Sequence, residues 1–93
     1  MKELIRTIIG EMPKGCIFDS HTVIQLIIER NTEVYLQAYQ GQATVESFHS
    51  LLAKEIDAFT KPENGELIQR LEGESWSKNI RNNYSTCACW RKK

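Results

Sequence analysis

Five cationic side chains, Lys78, Arg81, Arg91, Lys92 and Lys93, stand in residues 75–93, and that stretch contains no acid. The preceding seventy-four residues hold seven Lys/Arg and all twelve Asp/Glu, so seven minus twelve leaves −5 there against +5 in the tail. A net charge of zero conceals this division. Separated charge points to an anionic partner for the basic end. Lys78, Asn79, Arg81, Asn82 and Asn83 fall together, flanked by Trp76 and Tyr84. Lysine and arginine neutralise phosphate, asparagine donates to phosphate or to minor-groove acceptors, and the rings either stack on bases or anchor the loop. If three or four cations each neutralise a phosphate, log affinity falls with log salt at a slope of about −3 to −4. Affinity then drops roughly 40- to 140-fold between about 50 and 200 mM salt. The competing reading is a solvated hairpin ending in a basic tail.

Three further groupings carry potential chemistry. Cys87-Ala88-Cys89 places two thiols on one face of a strand, and Cys16, His21 or His49 can complete four zinc ligands. The C-x-C spacing differs from the usual C-x₂₋₄-C knuckle, and packing of small apolar thiols is the simpler role. A catalytic thiol requires a base beside it, for which His21 and His49 are the candidates, but no family-type context surrounds any cysteine. Asp19-Ser20-His21 has the residue types of a hydrolase triad, yet a triad converges in space rather than in sequence, and Asp19 or Ser20 serves better as a helix N-cap. Glycine-rich phosphate loops, paired-carboxylate motifs and dinucleotide fingerprints are absent. The expectation is a non-enzyme with no cofactor, no metal and no small-molecule substrate.

Periodicity defines the elements that must position these groups. Leu4, Ile5, Ile8, Ile9 and Met12 share one helical face across residues 2–12, and Pro13-Lys14-Gly15 stops the helix. Cys16-Ile17-Phe18 is too short for a helix and suits an edge strand. A second helix follows, with Val23, Ile24, Ile27 and Ile28 on one side. It either continues or gives way to a short helix capped at Thr32 and carrying Val34, Tyr35, Leu36 and Tyr39. Thr44 caps the clearest helix, residues 45–59, whose apolar stripe is Val45, Phe48, Leu51, Leu52, Ile56 and Phe59. Residues 61–65 form a loop, residues 66–72 a strand, and residues 73–83 a polar loop. Residues 84–90 alternate as a strand, with Tyr84, Thr86, Ala88 and Trp90 on one face and Ser85, Cys87, Cys89 and Arg91 on the other.

This order of helix, short strand, two or three further helices and a C-terminal hairpin resembles the winged-helix family over nearly the whole chain. The resemblance implies an α+β domain in which helices pack as a helix-turn-helix, the hairpin forms a wing, and residues 16–18 join it as a third strand. It also implies duplex DNA binding, with residues 45–59 as the recognition helix and the hairpin on the backbone or minor groove. On that helix Glu46, Ser47, His49 and Ser50 face outward near the start and Lys54 one turn further. Ser47 and Ser50 contact phosphate or bases and Lys54 reaches phosphate. Glu46, Glu55 and Asp57 oppose this, since carboxylates are repelled by phosphate. Arg91 and the tip residues complete the expected nucleic-acid contact set. The alternative is a protein-interaction or homodimerisation module using a surface around Tyr35, Leu36 and Tyr39. A third reading is a helical adaptor with an unstructured tail.

A chain of 93 residues makes one domain, here residues 1–93, burying roughly 60–70% of its unfolded surface. Apolar and charged fractions of 41% and 26% are ordinary for a globular protein. No apolar run reaches a membrane-spanning length, and the first residues lack the apolar region and cleavage site of a signal peptide. Reduced cysteines and a cytoplasmic location are therefore expected.

Overall fold

A computed structural model describes all residues, 1–93. Helix α1 spans Lys2–Gly10, strand β1 Ile17–Asp19, helix α2 Ser20–Arg30, helix α3 Thr32–Tyr39 and helix α4 Val45–Asp57. Two 3₁₀ turns, Ala58–Thr60 and Pro62–Asn64, lead to β2 Ile68–Arg70, β3 Ser75–Lys78, β4 Tyr84–Cys87 and β5 Cys89–Lys92. The result is the α+β arrangement of helices followed by a C-terminal antiparallel hairpin with a third short strand. β5 lies between β1 and β2, while β3 and β4 pair separately.

The helix boundaries follow from local chemistry. The Asp19 carboxylate accepts the Thr22 N–H and caps α2. Asn31 ends α2 and caps α3 by accepting the Val34 N–H. Two helices thus meet at a single residue, and the cap is Asn31 rather than Thr32. Thr44 and Ser47 form a reciprocal capping box that starts α4. The apolar stripe of α4 continues to Phe59, but its last turn tightens to 3₁₀ at Ala58.

One core joins every layer. Ile5, Ile8 and Ile9 of α1, Val23, Ile24 and Ile27 of α2, Phe48, Leu52 and Ile56 of α4, and Trp90 of β5 are all buried within it. Trp90 is wholly buried, stacks on Phe18 at 5.7 Å and donates from Nε1 to Asp57 Oδ1 at 2.8 Å. The last strand of the chain is therefore also the centre of the sheet.

The hairpin departs from its expected form in two respects. Arg70 pairs with Trp90 and Ser75 with Cys87. Four residues, 71–74, therefore stand opposite two, Ala88 and Cys89. This bulge interrupts the ladder, so the distal strands form a sheet of their own, and Gly73 takes a φ of 80° within it. Residues 73–83 are thus not one polar loop, because β3 occupies Ser75–Lys78. Its inward residues are serines that meet polar groups of α2, so no apolar alternation marked it. The break also changes the face assignment at Ala88. Tyr84 and Thr86 are exposed whereas Cys89 and Trp90 are both buried, so Tyr84 and Trp90 do not share an environment.

Candidate functional site

The distal hairpin has an inner face that docks and an outer face that is bare. Pairing of Ser75 with Cys87 and Ser77 with Ser85 puts four small polar side chains on the inner face. Ser75 Oγ donates to Asp19 Oδ2 at 2.7 Å. His21 stands between two hydroxyls, Nδ1 at 2.8 Å from Ser77 Oγ and Nε2 at 3.4 Å from Ser85 Oγ. Hydroxyls donate or accept, so either neutral tautomer of the ring is satisfied. The first turn of α2 thereby fixes the hairpin through hydrogen bonds rather than apolar packing. Of these contacts the sequence predicts only a helix cap at Asp19 or Ser20. The available signal was Ser75-x-Ser77 facing Ser85-x-Cys87, a period-two pattern written in polar residues.

On the outer face Trp76, opposite Thr86, and Tyr84, opposite Lys78, stack across the strands at 5.7 Å with planes 16° apart. Trp76 is 66% exposed and Tyr84 53%. Lys78 Nζ lies 5.7 Å from the centre of the Tyr84 ring and makes no ion pair. The tip is closed by Asn79, whose N–H donates to Asn83 O and whose Oδ1 accepts the N–H groups of Arg81 and Asn83. Asn82 adopts the left-handed conformation, φ 64°, that asparagine tolerates.

The tail's charges are dispersed, which corrects the expectation of a pooled cationic patch separated from carboxylates. Arg81 Nη1 pairs with Glu46 Oε1 at 2.9 Å, holding the tip against the first turn of α4. Lys93 pairs with Glu66 at 3.2 Å. Lys92 Nζ donates to Ile9 O and Met12 O at the end of α1, where a cation meets the helix dipole's negative pole. Arg91 is exposed on β5 opposite Ile17 and Gln69, in the three-stranded sheet, whereas Lys78 belongs to the separate β3–β4 pair. Of the expected α4 contacts, the Ser47 hydroxyl is engaged in the capping box, whereas Ser50 and Lys54 are exposed. Ser50 lines a groove of about 340 Å³ between α4, α2 and the hairpin, together with Glu46, His49, His21 and Ser85.

The cysteines do not converge. Cys87 is half-buried with Sγ 3.9 Å from Ser77 Oγ, Cys89 is buried beyond the break, and Cys16 lies half-buried before β1. No three His, Cys, Asp or Glu side chains are placed to share a metal ion. Nor does Asp19-Ser20-His21 converge as a triad, because its acid and its imidazole each engage serines of the hairpin instead. The expected aromatic surface on α3 is also corrected: Tyr35 is buried against Phe48 and Tyr39, and its hydroxyl bonds His49 Nε2 at 2.8 Å. Leu36 alone of the three is well exposed.

Two groups link this arrangement to pH. Burial lowers His49 below its ordinary 6.5, and the neighbouring His21 and Arg81 push the same way against Glu46. Burial works to raise Asp19, but hydrogen bonds from Ser75, Thr22 and Ser77 pull it below its ordinary 3.8. Both groups bind protons less readily in the folded chain than in the unfolded one. The stability they contribute is complete above the unfolded value and is lost as pH falls through the folded value. Urea midpoints should therefore fall in two stages on acidification, first below about 6.5 and again below about 3.8. His49→Gln should flatten the first stage and Asp19→Asn the second.

No protein-family model, curated protein or solved structure shows significant similarity to this chain. No helix is long and apolar enough to cross a membrane.

Proposed function

We propose that this chain is a nucleic-acid-binding domain whose C-terminal hairpin makes the contact, with ring stacking contributing more than charge. The observation that supports this reading is the bare outer face: two stacked rings, the larger 66% exposed, beside a lysine that has no carboxylate partner. A soluble surface has little reason to leave a tryptophan this open unless something covers it. Tryptophan and tyrosine accept any base because every base has a π-face. Bases inside an intact duplex are already stacked, so the favoured ligand is a strand with unpaired bases. Duplex DNA meets this face only through phosphate.

Magnitudes favour stacking over charge. Only Lys78 and Arg91 remain free among the five tail cations. Two neutralised phosphates on a single strand give a salt slope of about −1.4. Affinity then falls only about sevenfold between roughly 50 and 200 mM salt. One stacked base contributes about 1–3 kcal/mol. Fluorescence anisotropy with matched single-stranded and duplex oligonucleotides across a salt series tests this. The expected result is tighter single-strand binding with a slope no steeper than about −2. Equal binding of the two ligands at a slope near −4 would restore the pooled-charge contact, and absence of binding to either would reject the reading. Lys78→Ala should flatten the slope by about 0.7.

A further inference from the structure

We propose that a second, concave face of the hairpin is a phosphate-binding notch, formed where the tip meets the first two turns of α2. This rests on the reading above, because the same tip carries both faces. The notch has a volume of about 320 Å³ and is lined by His21, Thr22, Gln25 and Leu26 of α2 and by Ser77, Lys78, Asn79 and Asn82 of the hairpin. No carboxylate lines it, and Leu26 is its one hydrophobic lining residue. A cavity without a carboxylate does not suit a metal cation.

Its free hydrogen-bonding capacity is biased toward donation. The Asn79 Oδ1 is already used by the Arg81 and Asn83 N–H groups, so the part of that side chain left for a ligand is its amide NH₂. Asn82 makes no side-chain bond within the chain, and its backbone N–H is used by Asn79 O. Lys78 has three N–H donors, no acceptor and no ion-pair partner. The Thr22 hydroxyl is exposed at the rim. Gln25 Nε2 donates to Glu29 Oε1 at 3.2 Å, which takes that N–H away from a ligand. Asp19, which begins α2, has both carboxylate oxygens engaged, one by the Thr22 N–H and one by Ser75. Amide and hydroxyl donors with no lining acid, beside a lysine whose amine has no ion-pair partner, match the oxygens of a phosphate group.

Lys78 belongs to both surfaces, lying over the Tyr84 ring and lining the notch. The natural occupant is therefore a phosphate of the strand whose base covers Trp76 or Tyr84. Free inorganic phosphate offers the same chemistry, and the experiment separates the two sources.

Amide spectra of ¹⁵N-labelled protein would be recorded with inorganic phosphate at constant ionic strength set by chloride. Perturbations confined to Thr22, Ser77, Lys78, Asn79 and Asn82 are expected. Asn82→Asp replaces a donor by a carboxylate in a residue type that also tolerates the left-handed turn. Thr22→Glu introduces a carboxylate from the other wall, at a helix position where glutamate is favourable. Each should weaken phosphate at least fivefold and leave the remaining spectrum unchanged. Perturbations scattered over all basic side chains, or wild-type affinity in both variants, would overturn the notch. A single-stranded oligonucleotide that competes with inorganic phosphate, while its methylphosphonate analogue does not, assigns the site to the strand. Saturation by inorganic phosphate without such competition keeps the notch but removes the strand from it. Loss of oligonucleotide binding in Trp76→Ala with both notch variants unaffected leaves the aromatic reading standing and rejects only the notch.

Discussion

Trp76→Ala should weaken single-strand binding by about 5- to 150-fold, the equivalent of the 1–3 kcal/mol that one base–ring stack contributes. The fold should survive. Trp76 is 66% exposed and its main partner within the chain is Tyr84 across the strands. Such a cross-strand pair is worth roughly 0.2–1 kcal/mol, a small fraction of domain stability. Binding and stability are thus separable at this position, which makes it the most discriminating substitution. Trp76→Phe keeps a ring and should recover part of the affinity. Anisotropy titrations beside thermal melts check both quantities. Affinity within twofold of the parent protein, with an unchanged melt, would mean the exposed rings do not contact nucleic acid.

Charge substitutions should be weaker, and the reason lies in where the carboxylates fall. Arg81 faces Glu46 in an ion pair whose two side chains are 55% and 69% exposed. A pair that open is worth about 0–1 kcal/mol. A phosphate can therefore displace Glu46 at small cost, yet Arg81 gains little by changing one anion for another. The basic tail read from the sequence is real as composition. In space, three of its five cations have duties inside the fold.

The difference between what was and was not legible in the sequence has a physical source. Apolar periodicity reports burial, so the helices and the stripe from Val45 to Phe59 were legible to within a turn. Thr44 was legible because side-chain capping is a local interaction. β3 was not, because Ser75 and Ser77 face Asp19 and His21, a contact spanning 56 residues in both cases. No local pattern announces that a serine's partner lies so far away. The bulge at residues 71–74 was hidden for a related reason: register depends on which residue of the other strand is opposite, and strict alternation through Ala88 put Trp90 on the same face as Tyr84 and Thr86. Trp76 and Tyr84 were identifiable as flanking the tip. That they share the outer face, and that Thr22 joins the tip in forming a notch, required the pairing of Trp76 with Thr86 and of Lys78 with Tyr84.

Trp90→Ala should be the most destabilising single substitution in the chain. Trp90 is fully buried on the central strand, stacks on Phe18, and lies beneath the Arg70 guanidinium at 5.7 Å. Truncating a buried tryptophan costs about 3–5 kcal/mol, because transfer energy is lost and a cavity remains. A domain of this length has a total stability of roughly 5–14 kcal/mol. At about 4–8 °C per kcal/mol, the melting temperature should fall by at least 12 °C or so, and at the weaker end of that stability range much of the chain would unfold at ambient temperature. Loss of β5 would release β1 and β2, both of which pair only with it in the three-stranded sheet. It would also free Lys92 from the end of α1. Trp90→Phe keeps most of the volume and removes the N–H donated to Asp57, a half-exposed acid that water can satisfy, so its cost should be nearer 1 kcal/mol. Equal melting temperatures for the two variants would show that the Asp57 hydrogen bond, rather than the packed indole, holds the final strand in place. The outer face carrying Trp76 extends from this strand and its partner, so a ligand-binding surface at the tip depends on a packing centre at the base.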